Sequence, residues 1–165
     1  MLKYKTPPID FEDEDSIWEA FEGFWNLFLS SEETGCERLN LLTETQKNLI
    51  IFNFYRGSVL RGGHQSFLDL YMDSIGINAV KDSLLALGVG DELILNLERI
   101  QEIFSFLDAL VDDDEETSEL AWEQLEKFFE PINSTFYKYN EEGIIDGKMI
   151  QYLRENATEF FEVIV

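Results

Sequence analysis

Apolar residues in this chain return at steps of three and four, segment after segment, and that period constrains the fold to packed helices. Ile17, Trp18, Phe21, Phe24, Trp25 and Phe28 set the pattern. A helix is expected to begin near Asp15 or Ser16, after an extended acidic lead-in over residues 1–14 that holds Pro7 and Pro8. Thr43-Glu-Thr-Gln46 has capping-box form, a hydroxyl followed three residues on by an amide. It predicts a second helix to about Leu60, broken by Gly62-Gly63. A third is expected over Gln65 to Ser74, stopping at Gly76. A fourth, capped by Asn78, runs over Ala79 to Leu87 and ends at Gly88. A fifth spans Asp91 to Val111 and a sixth Glu115 to Glu130. Pro131 is placed to open a seventh. After a loop at 140–147, a last helix covers Lys148 to Val163. The expected fold is all-α, one compact domain over residues 1–165 with seven or eight helices. With 45% hydrophobic residues and fourteen Phe, a core is affordable. Disordered chains pair high charge with few aromatics, so wholesale disorder is excluded.

Charge narrows the function. Thirty-four acids oppose twelve bases, for a net charge of −22. Such a chain repels nucleic acid and anionic membrane, and its natural complement is a surface rich in Lys and Arg. The charge is also concentrated. Asp91 to Glu130 holds fourteen acids and two bases, Arg99 and Lys127, so forty residues carry −12. A generic soluble surface intersperses both signs.

The two helices of that stretch are patterned. At 100° per residue with Glu98 at zero, Asp91 falls near 20° and Glu102 near 40°, while Ile100, Ile103, Phe104 and Leu107 lie between about 120° and 240°. Arg99 stands to the side near 100°. On the next helix Glu116, Glu119, Glu123, Glu126 and Glu130 are spaced three, four, three, four, within an arc of about 80°. Like charges so spaced cost a few tenths of a kcal/mol per pair. The run Asp112, Asp113, Asp114, Glu115, Glu116 joins the two faces. The bland alternative is a solvated acidic face, but that does not call for clustering on consecutive helices.

Catalytic and metal chemistry find little here. His64 is the single histidine. A hydrolytic triad needs a nucleophile and a carboxylate beside it, and no motif supplies them, so His64 reads as structural. Cys36 sits in a polar loop; one cysteine forms no intrachain disulfide and fits a reducing compartment. Acids at Asp112, Asp114, Glu116 and Glu123 fit positions 1, 3, 5 and 12 of a calcium loop, but Thr117 stands where the turn demands Gly. Zinc lacks soft ligands. Gly62-Gly63 lacks the strand and the Lys of a phosphate loop and reads as a turn between helices. No catalytic residue, metal or cofactor is expected. No apolar run nears the roughly 18 residues of a membrane span, and the first residues lack a signal-peptide core.

Anionic rows at this spacing offer carboxylates where DNA offers phosphates. Duplex DNA carries one charge per about 1.7 Å. Five glutamates along about 21 Å of helix are sparser, and two helices plus their corner, repeated in a dimer, come closer. A DNA-binding protein aims Lys, Arg and helix N-termini at phosphates, and carboxylates so placed would engage the same groups.

The segment Tyr55-Arg-Gly-Ser-Val-Leu-Arg-Gly-Gly-His-Gln-Ser-Phe67, followed by Ala86-Leu-Gly88, resembles the bacterial DNA-mimic protein family first described in Neisseria. The matching pattern is a helix ending in Gly-Gly, then x-Gln-x-Phe, then a Leu-Gly break about twenty residues on. Length, a mass of 19.2 kDa and acidity match the founding member. His64 stands where many relatives carry an aromatic. The resemblance implies a mostly helical fold, a homodimer, and binding to a helix-turn-helix transcription factor in place of its operator, in the cytoplasm. It assigns no individual acids. Helical phase selects Glu98, Glu102, Asp112, Asp113, Asp114, Glu115, Glu116, Glu119, Glu123, Glu126 and Glu130 as partner-binding acids. It assigns no place to Asp10, Glu12, Asp13, Glu14 and Asp15. Gly62, Gly63, Gln65 and Phe67 are read as structural. The competing reading is a sequesterer of histone-like basic proteins or a general acidic chaperone.

Overall fold

Asp13 stops the lead-in and starts the first helix, because its carboxylate accepts the N–H of Asp15 at 3.2 Å. The computed structural model describes residues 2–31, 35–107 and 115–164. Helix α1 covers Glu14–Leu29 and buries Ile17, Ala20, Phe21, Phe24 and Phe28, the three-and-four row read from sequence. A 3-10 segment, Gly35–Leu41, leads into α2, Glu44–Tyr71. The capping box forms as expected: Gln46 N–H donates to Thr43 Oγ1 and Thr43 N–H to Gln46 Oε1.

Gln46 does a second thing that its sequence position does not reveal. It is fully buried, and its Nε2 donates to the carbonyls of Leu2 and Glu159, both at 2.6 Å. One amide thus ties the first and last segments of the chain to the start of α2. Beside it, β1 (Tyr4–Thr6) and β2 (Phe161–Val163) pair in parallel, Tyr4 opposite Phe161 and Thr6 opposite Val163. The expected last helix, Lys148 to Val163, is therefore corrected. It begins earlier, as α6 over Ile144–Glu155, followed by the short α7, Ala157–Phe160, and then the strand. Phe160 and Phe161 are both buried, and Phe161 leaves the helix because its backbone is extended and pairs with Tyr4 in the parallel ladder. The expected loop at 140–147 shrinks to Glu142-Gly143, with Gly143 at φ 71.

Gly62 and Gly63 do break α2, at φ −159, ψ 28 and φ 71, ψ −175, and the chain resumes helix at once. Two helical halves thus meet at this kink, as the sequence implied, and the second ends at Tyr71 instead of Ser74. Helix α3, Ile77–Leu87, has Gly76 at its N-cap, so Asn78 lies inside the helix and does not cap it. Gly88 closes it in the left-handed conformation at φ 64. Helix α4, Asp91–Leu107, folds back on α3, and residues 108–111 of the expected helix lie outside the described residues.

Helix α5 runs from Glu115 to Glu141 and keeps Pro131 inside it. A helix start at Pro131 is thus corrected. An interior proline costs about 3 kcal/mol, yet Phe129, Ile132 and Phe136 are buried on both sides of it, so packing carries the helix through. The expectation of an all-α fold with seven or eight helices holds, with seven α-helices among the described residues. One contiguous apolar cluster unites α1 to α7, with Tyr55, Phe67 and Phe136 in edge contact near its centre. No described helix is long and apolar enough to cross a membrane.

Candidate functional site

The acids selected by helical phase fall into three groups. Asp112, Asp113 and Asp114 lie outside the described residues, and with them the start of the calcium-loop frame. Glu115, Glu116, Glu119 and Glu123 lie on α5, where only the course of the backbone is described. Glu98, Glu102, Glu126 and Glu130 have described side chains, and of these Glu102, Glu126 and Glu130 are exposed.

Glu98 departs from the expectation. Its carboxylate accepts a hydrogen bond from Lys81 Nζ of α3 at 2.9 Å. Residues 81 and 98 face each other across the α3–α4 hairpin. The ammonium therefore cancels that charge locally, and Glu98 is not a free member of the row. The same outer side of α4 also carries Leu95, 52% exposed, near 60° in the phase count. Ile100 is buried as the pattern required, and Leu93 and Leu97 are buried with it. The anionic face of α4 is thus narrower than its sequence suggested, reduced among the described residues to Asp91 and Glu102. Arg99 is exposed at the side, its guanidinium donating to Asn96 Oδ1 at 3.4 Å.

On α5 the outcome differs. Glu126 and Glu130 border an open groove whose lining includes Gly62, Gly63, Gln65, Lys127, Asn133 and Tyr137. The glycine-rich motif, read as purely structural, therefore lines the same groove as two of the predicted acids. The α2 kink makes this possible. At Gly63 a Cβ would stand 2.6 Å from Asn133 Nδ2 and 2.9 Å from Gln65 Oε1, and φ +71 with ψ −175 is a region essentially reserved for glycine.

His64 stands directly behind this groove. It is 1% exposed. Asn133 Oδ1 accepts from the His64 backbone N–H at 2.9 Å and from its Nδ1 at 2.6 Å. The amide oxygen only accepts, so Nδ1 carries the hydrogen and Nε2 accepts from the Tyr55 hydroxyl at 2.7 Å. Burial drives the His64 pKa down to about 4, partly offset by the Asn133 hydrogen bond. Burial also pushes the Tyr55 hydroxyl far up, so it remains a donor. The histidine is neutral and has both ring nitrogens committed, an arrangement that holds structure and leaves no lone pair for general-base work.

The N-terminal acids Asp10, Glu12, Asp13, Glu14 and Asp15 are all exposed, and Glu19 and Glu22 extend them along α1. Asp10 and Asp13 each accept a local backbone N–H, from Glu12 and Asp15, which explains part of that run as turn and cap chemistry. No group of three or more His, Cys, Asp or Glu suited to a metal ion occurs among the described residues.

The family model of the DMP19-like protein matches residues 40–156. That match spans α2 to α6 and includes the kink, the groove and every acid selected from the sequence. No curated protein and no solved structure gives a match.

Proposed function

The chain belongs to the DMP19-like protein family, and from that premise we propose that it is a non-enzymatic DNA mimic. It occupies the DNA-binding surface of a helix-turn-helix transcription factor in the cytoplasm, acts as a homodimer, and keeps the factor from its operator. The observation that carries this reading is the glutamate row of α5, whose described members Glu126 and Glu130 stand exposed at the rim of a groove. Glu102 adds a third exposed carboxylate on α4. A basic DNA-binding surface finds there the charge it otherwise finds on phosphates. Binding is exclusive, because the same Lys and Arg side chains serve either ligand.

The test is charge reversal. Glu116→Lys, Glu119→Lys and Glu123→Lys together, in a protein shown to be folded by circular dichroism, are expected to abolish displacement of the captured factor from its operator. Undiminished displacement overturns this choice of face. A second reading, a sequesterer of histone-like proteins or a general acidic chaperone, draws support from the separate run of exposed acids between Asp10 and Glu22. It predicts weak binding to many basic proteins, where the first predicts one saturable complex.

A further inference from the structure

The side of α5 that carries Glu123, Glu126 and Glu130 continues without a break into Asn133 and Tyr137, because the steps of three and four are kept. Here that side is fastened to α2. Tyr137 donates its hydroxyl to the Val59 carbonyl at 3.2 Å, one turn before the kink. Asn133 holds the backbone N–H and the ring of His64 with a single oxygen, immediately after it. We propose that Asn133 is a positioning residue of the anionic surface: its bonds to His64 set the direction in which the α5 glutamates present their charge. This rests on the reading of those glutamates as partner-facing.

Three observations support the assignment. The apolar anchors Phe129, Ile132 and Phe136 decide which side of α5 meets the core, but apolar contacts are non-directional. Hydrogen bonds weaken steeply with misalignment, and two of them converging on one oxygen define an orientation. Asn133 is also one turn from Glu130 and two from Glu126, so any rotation released there is passed on to them through the helix. Finally, Gly63 leaves the space that Asn133 fills, and the Tyr55 hydroxyl on Nε2 keeps the hydrogen of His64 on the nitrogen that faces Asn133.

The experiment reads geometry first and binding second. Nitroxide labels at Gln124→Cys on α5 and Leu70→Cys on α2, both exposed positions, are introduced into the full chain carrying Cys36→Ser. Electron–electron distance measurements on this protein diluted with an excess of unlabelled chain, so that pairs within one protomer dominate, are expected to give one narrow distribution. Asn133→Ala is expected to broaden or displace it, and Asn133→Asp, which keeps the accepting oxygen, to restore it. A distribution unchanged by Asn133→Ala in a folded protein overturns the proposal, whatever the protein binds. Affinity for a fluorescein-labelled oligo-arginine peptide is expected to fall roughly 2- to 30-fold in Asn133→Ala although no charge has changed, the size of effect a residue outside the contact exerts. Altered distances with unaltered affinity also overturn it. Should Asn133→Ala fail to fold, His64→Phe removes one of the two bonds, the ring contact, and leaves only the backbone N–H of residue 64 on Asn133 Oδ1, so a partial broadening is expected. It is held to the same outcomes.

Discussion

His64 offers a sharp prediction because it is the single histidine and its environment admits one protonation state. Its pKa falls from 6.5 to about 4 on folding. Between those values the unfolded chain binds a proton that the folded chain refuses, so stability rises with pH across this window. The contribution is complete above about pH 6.5, is lost as pH falls toward 4, and changes no further below that. A displacement of about 2.5 pKa units corresponds to roughly 3 kcal/mol, a large part of the 5–15 kcal/mol that stabilises a typical domain. Protonation of the 34 acids also moves stability over this range, so wild type must be compared with His64→Phe, in which the acids are the same. Urea unfolding followed by far-ultraviolet circular dichroism at half-unit steps from pH 4 to 8 gives the difference curve. The stability advantage of the wild type is expected to shrink by about 3 kcal/mol from pH 7 to pH 4. The lone imidazole resonance, unambiguous without assignment, is expected to titrate near pH 4. A flat difference curve, or an imidazole titrating near 6.5, refutes the buried neutral histidine and the Asn133 contact built on it.

Other consequences follow from particular side chains. Gly63→Ala is expected to destabilise by at least about 1–3 kcal/mol, because its backbone region is reserved for glycine and its Cβ meets Asn133. Gly57→Ala, with nothing near its Cβ, is expected to stabilise by roughly 0.4–1 kcal/mol; thermal or urea unfolding reads both signs. Gln46→Ala is expected to cost roughly 1–3 kcal/mol, from buried partners left unsatisfied. It also releases the Leu2 and Glu159 carbonyls, so hydrogen exchange is expected to quicken in β1 and β2 before it does elsewhere. Lys81→Gln, which frees the Glu98 carboxylate, is expected to tighten binding of a basic partner while changing stability by less than about 1 kcal/mol, measured by titration calorimetry.

Local chemistry made much of the fold legible in the sequence. The Thr43–Gln46 box, the Gly62-Gly63 break and the apolar row of α1 each depend on residues a few positions apart, and each formed as read. What escaped depends on distant partners. Nothing near Phe161 says that it will pair with Tyr4, and nothing near Gln46 says that its amide will reach Leu2 and Glu159. Pro131 reads locally as a boundary, and burial on both sides of it overrides that signal. The same division runs through the candidate site. Helical phase found the exposed acids Glu102, Glu126 and Glu130. It missed the pairing of Glu98 with Lys81, which belongs to another helix, although a hairpin closed by Gly88-Val-Gly90 with a Lys on one arm and a Glu on the other was a signal. It also missed that the glycine motif lines the groove beside Glu126 and Glu130. The continuation of the glutamate spacing into Asn133 and Tyr137 was readable, and it points that side of α5 toward a polar neighbour.

The central claim is that carboxylates on this surface engage the groups that otherwise engage phosphates. Its most direct test is exclusion. The captured DNA-binding partner is held at saturating concentration of this protein, labelled operator duplex is added, and the species present are sized by analytical ultracentrifugation. The account predicts two separate complexes, protein–partner and partner–DNA, exchanging in proportion to the concentrations of the competitors. A stable ternary complex containing all three would contradict it.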